Sequence, residues 1–135
     1  MDNSDLYRMA EEGGIGVFAY DLPKTRSMSA ALPDGYMAIG IDYEALTSTS
    51  EERVHLAHEI GHCKTGSFYN KYSPHDVREK HERKANIYAV QCIMPLDEIM
   101  DAYRHGCREI WDMAEYFNVT EDFAKYALMY YKIIQ

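Results

Sequence analysis

Two histidines bracket a glutamate in His58-Glu59-Ile60-Gly61-His62. Four residues is close to one helical turn of about 3.6, so on a helix both imidazoles project from one face while Glu59 is rotated from them by about 100°. Two imidazole nitrogens can then grip one ion, with the carboxylate beside it rather than on it. Zinc held by two histidines and one further protein ligand keeps a fourth position for water and lowers that water's pKa to near 7. Glu59 is placed to take the proton and later hand it to a leaving amine. A shuffled chain of this composition would hold the pattern about 2% of the time, so the weight falls on its surroundings.

Val54, Ala57, His58, Gly61 and His62 fall on positions i, i+3, i+4, i+7 and i+8, the inward stripe of an amphipathic helix. Two imidazoles on a buried face need partners, because an unpaired polar group there is costly. The third ligand is expected from Glu82-Arg83-Lys84-Ala85-Asn86. Glu82, Ala85, Asn86 and Ala89 share one helical face, which continues into Ile93 and Met94, so Glu82 points inward. Ala85 lets two helices approach closely, and Asn86 is positioned to accept the remaining N–H of a ligating imidazole and fix its tautomer. His81 is the second choice for the third ligand, about 100° around the helix. His75, Asp76 and Cys63 are further rivals, Cys63 the weakest because it faces away from the ion.

These residues need a scaffold. Leu6 to Glu12 reads as a short helix stopped by Gly13-Gly14. Ile15 to Tyr20, Thr25 to Ala31 and Tyr36 to Ile41 read as three strands, separated by Pro23 and by Pro33-Asp34-Gly35. A Ser/Thr run before Glu51 and Glu52 starts a helix over 51–65, with Gly66 as its stop. Ser73 as N-cap and Pro74 as first helical residue start another over 74–94, ended by Pro95. Helices over 96–105, 109–117 and 120–132 follow. The expected fold is α+β, a small three-stranded antiparallel sheet packed on a helical bundle.

Composition bounds the rest. The 135 residues carry 14 Lys+Arg against 22 Asp+Glu, a formal charge of −8. They suffice for one domain, read as residues 1–50 (helix and sheet), 51–94 (the ligand helices) and 95–135 (C-terminal helices). The longest stretch without charge, Ala85 to Leu96, is too short to cross a bilayer. No leader pattern opens the chain, and Cys63, Cys92 and Cys107 are an odd set, which together point to the cytoplasm. Basic and acidic groups number 3 and 8 in residues 1–50, 7 and 6 in 51–94, and 4 and 8 in 95–135; five of the six histidines lie in the middle segment. The C-terminal pair of helices, joined at Asn118-Val119, has a helix-turn-helix look with Trp111, Ala114, Phe117, Val119, Phe123, Ala127 and Leu128 as its core. Residues 105–135 hold three basic groups against five acidic ones, so direct nucleic-acid binding is not expected.

Taken together, His58-Glu59-Ile60-Gly61-His62, Glu82-Arg83-Lys84-Ala85-Asn86, Ile93-Met94-Pro95 and the segment from Trp111 to Thr120 resemble the ImmA/IrrE family of gluzincin-like zinc metallopeptidases. The resemblance covers roughly residues 35–131 and implies a zincin-like fold. It implies that His58, His62 and Glu82 bind Zn2+ and that Glu59 is the catalytic base. It also implies a narrow protein substrate, a transcriptional repressor of a mobile element or stress-response locus. No helix-turn-helix domain precedes the motif and no sensor domain follows it, so the repressor is expected on a separate chain. The alternative is an interaction module whose zinc site is structural or vestigial. Tyr69, His75 and Tyr131 are candidates, by residue type, for an additional donor to an oxyanion.

Overall fold

A computed structural model describes all 135 residues. Helix α1 (Asn3–Glu12) opens on a reciprocal cap, in which the Asp5 amide donates to the Asp2 carboxylate and the Asp2 amide to that of Asp5. It buries Leu6 and Ala10. Strands β1 (Ile15–Ala19), β2 (Ser27–Ala31) and β3 (Met37–Ile41) form one sheet in the order β1-β3-β2.

The sheet is mixed rather than antiparallel. β2 and β3 form an antiparallel hairpin around Pro33-Asp34-Gly35, whereas β1 runs parallel to β3, with Ile15 opposite Met37 and Ala19 opposite Ile41. The expected all-antiparallel pairing does not form because β3 inserts between the other two. What permits this is the segment 20–26, which arches over the end of β3. The Tyr20 amide donates to the Ile41 carbonyl (2.9 Å), and the Asp42 amide to that of Arg26 (2.9 Å). The buried Asp42 carboxylate accepts from the Leu22 amide (2.8 Å) and from the Glu44 and Ala45 amides (3.1 Å each). One side chain thus ties the crossover to the turn that follows β3.

Helix α2 (Thr49–Thr65) begins two residues earlier than expected, because the Ser48 hydroxyl accepts the Glu51 amide as its N-cap. It ends at Gly66, whose φ of 65° lies in the left-handed region that glycine enters without strain. Its surroundings also differ from expectation. Leu56, Ala57, Glu59, Ile60, Gly61, His62 and Cys63 are all buried, so the helix is enclosed on most sides rather than amphipathic. β2 lies along it on one side, α3 (His75–Ile93) on another and α1 on a third.

In α3, Pro74 occupies the N-cap rather than the first helical position. Its carbonyl accepts the Arg78 amide, while the Ser73 hydroxyl accepts the Asn70 amide instead of capping. Pro95 then caps α4 (Leu96–Arg104), and α5 (Ile110–Phe117) and α6 (Glu121–Tyr130) meet at Asn118, which has φ 53°. Met113, Ala114 and Phe117 take the inward positions of α5, which rotates Trp111 outward; it is 57% exposed and forms no part of the core. Twenty-three buried residues drawn from α1, the sheet and all the later helices make one apolar cluster. No helix is long and apolar enough to cross a membrane.

Candidate metal centre

The site lies where α2 and α3 come closest. A Cβ placed on Gly61 would stand 2.6 Å from the Ala85 carbonyl oxygen and 3.1 Å from the Ala85 Cα. The missing side chain at 61 and the small one at 85 therefore set the helix separation, and with it the reach of the short glutamate side chain from α3 to the imidazoles on α2.

Across that contact three donors converge. Glu82 Oε2 is 2.8 Å from His58 Nε2, Glu82 Oε1 is 3.1 Å from His62 Nε2, and the two Nε2 atoms are 3.2 Å apart. One ligand atom from each residue lies within 4.8 Å of the others. The outward nitrogens fix the tautomers. His62 Nδ1 stands 2.6 Å from the Ser67 carbonyl, and His58 Nδ1 2.7 Å from Asn86 Oδ1. Both of those oxygens only accept, so each Nδ1 carries hydrogen and each Nε2 of a neutral ring turns a lone pair inward. Two lone pairs and a carboxylate facing one another repel unless a cation lies among them. A tetrahedral zinc site at about 2.0–2.1 Å from its ligands needs donor separations of roughly 3.3 Å. This cluster is close to that, so donor chemistry and spacing both fit a small dication.

The electrostatics agree. Burial is the largest influence on Glu82 and pushes its carboxyl up, but contacts with His58 and His62 and the hydroxyl of Tyr69 together hold it well below the usual carboxylate range. Burial likewise pushes His58 down, and the Glu82 contact, the Glu59 charge and Asn86 outweigh it to leave His58 raised. A proton on His58 and a metal ion would compete for the same space. Tyr69 donates to Glu82 Oε1 at 2.6 Å, and burial followed by that bond pushes its phenol up to about 12.

Glu59 is 6% exposed and stands beside the cluster, outside it. Its Oε2 accepts the Ser27 hydroxyl (2.7 Å), and Ser27 Oγ lies 2.7 Å from His55 Nδ1. Because the carboxylate only accepts, the serine proton goes to Glu59 and His55 donates to the serine oxygen. Neither Ser27 nor His55 was singled out from sequence. His55 could have been, since it stands one turn before Glu59 on the same helix; Ser27 reaches Glu59 only through the docking of β2 on α2.

The remaining candidates lie elsewhere. His81 stacks on Tyr69 (6.3 Å between ring centroids) with its Nδ1 unpartnered, outside the cluster. His75 is exposed and pairs with Glu79 at 3.0 Å, and Asp76 is exposed. Cys63 packs in the apolar core, and all three cysteines are free. Tyr131 packs against the core at the end of α6 and does not line the cleft over the cluster. That cleft, about 440 Å³, is walled by Ser27, Met28 and Ser29 of β2 on one side and by Phe68, Tyr69 and Glu82 on the other.

The family model described as the IrrE N-terminal-like domain (Peptidase_M78) matches residues 10–129. The chain belongs to this family. It is therefore an ImmA/IrrE-type metallopeptidase domain, and the match spans the sheet, both site helices and α4 to α6. No curated protein matches the chain.

Proposed function

We propose that this ImmA/IrrE-family chain is a zinc-dependent endopeptidase acting in the cytoplasm on one specific protein, a helix-turn-helix repressor carried on a separate polypeptide and belonging to a mobile element or stress-response locus. The observation that carries the reading is the convergence of His58, His62 and Glu82 beside the buried, hydrogen-bonded carboxylate of Glu59. His58, His62 and Glu82 would hold the ion. Zinc in such a site supplies Lewis-acid polarisation of a carbonyl and makes water acidic near neutral pH. Glu59 accepts the proton of the attacking water and delivers it to the leaving amine. Asn86 and the Ser67 carbonyl orient the two imidazoles, and the Ser27 hydroxyl holds Glu59 in one rotamer.

The test is paired. The purified chain is expected to bind one zinc, and His62→Ala to lose it. Glu59→Gln is expected to keep zinc and to stop cleavage of a co-expressed repressor encoded next to the gene. Cleavage by Glu59→Gln would overturn the assignment of the base. A second reading, a binding module without turnover, draws on the direct contacts of Glu82 with His58 and His62, which join the three side chains to one another. Under it Glu59→Gln would keep the full biological effect.

A further inference from the structure

Tyr69 and Glu82 also wall a second space, a groove of about 730 Å³ along α3 that reaches Tyr126 of α6. Because the two spaces share these walls, a peptide lying over the cluster has both within reach. The two spaces differ in charge. The β2 side of the cleft is lined by Thr25, Ser27, Met28 and Ser29, none of them charged. The groove contains Arg78 and Arg83, and neither forms an ion pair. The Arg78 Nε is buried without a hydrogen-bond partner. The acid among the groove's walls that does not belong to the cluster, Glu79, lies 3.0 Å from His75. Two guanidiniums without an ion pair thus border the same groove, next to the cleft over the cluster.

We propose that this groove is a specificity subsite for an acidic side chain of the substrate, an aspartate or glutamate on one side only of the scissile bond. The inference rests on the peptidase reading and adds the substrate's chemistry to it. Guanidinium matches carboxylate in a bidentate fork, and a buried N–H without a partner gains most from being given one. The acidic remainder of the surface repels a polyanion, so a single carboxylate within a peptide suits the groove better than a nucleic-acid backbone.

The test uses the full chain and two series of fluorescently labelled peptides. In one series a hydroxamate anchor stands at the C-terminus, in the other at the N-terminus, with Asp, Asn or Lys one, two or three residues from it. Binding is read by anisotropy. In one series only, Asp is expected to bind about tenfold tighter than Asn, and Lys more weakly than Asn, the difference shrinking as salt is raised. Arg83→Glu, a change at an exposed position, is expected to remove the Asp advantage over Asn, and Arg78→Gln to weaken it. EDTA should abolish anchoring while the order Asp over Lys persists among the weaker complexes. Loss of anchoring dependence alone would therefore count against the metal reading. Equal binding of Asp, Asn and Lys, or an Asp advantage untouched by both variants, would overturn the subsite.

Discussion

A carboxylate as buried as that of Glu59 is tolerated only where something donates to it. Ser27 is that donor, and it is in turn held by His55. Ser27→Ala leaves the carboxylate without this bond and His55 Nδ1 without its acceptor. The change is expected to cost about 1–3 kcal/mol of stability in urea unfolding; a loss under about 0.5 kcal/mol would mean that Glu59 draws its support from elsewhere. Asn86 acts one step further from the ion. Asn86→Ala frees the His58 ring to rotate and is expected to lower zinc affinity roughly 10–100-fold in competition with a chromophoric chelator, with little effect on folding. The grouping of His58, His62, Glu82 and Asn86 was legible in the sequence because two short motifs place them on facing helices, although spacing left His81 as a rival to Glu82. Ser27 was not, since its contact with Glu59 spans 32 positions and depends on how a strand docks.

At the scale of elements, the feature that matters most is the crossing of α2 and α3, which a glycine inside the histidine motif makes possible. Gly61→Ala would set a methyl against backbone, the Ala85 carbonyl at 2.6 Å, and backbone cannot swing aside as a flexible side chain can. The expected result is a loss of about 1–3 kcal/mol in thermal or urea unfolding. Zinc affinity should fall with it, because Glu82 retreats along with α3. A variant that lost stability but bound zinc as tightly as the wild type would show that Glu82 does not reach the ion from this helix. The caps of α2 and the stop at Gly66 were readable from residue type. The parallel pairing of β1 with β3 was not, because it rests on a crossover held at the end of β3 by contacts such as Leu22 to Asp42, 20 positions apart, which strand periodicity does not encode.

For the whole molecule, the proposed ion does more than chemistry, because its ligands come from two helices that both belong to the single apolar cluster. Metal that binds the folded chain and not the unfolded one stabilises it by mass action, about 2.7 kcal/mol at a free concentration 100 times Kd. For a chain of this size that corresponds to a rise of roughly 10 °C in the unfolding midpoint. Differential scanning calorimetry should therefore show an upward shift on adding zinc to the metal-free protein and its reversal by EDTA. His62→Ala should be unresponsive, since removing that ring leaves two donors of the three. The acidic surface supplies the competing explanation, that zinc binds loosely among carboxylates or at the exposed His75–Glu79 pair. Those groups are intact in His62→Ala, so an equal shift in the variant would move the ion away from the α2–α3 contact, and with it the chemistry assigned to Glu59.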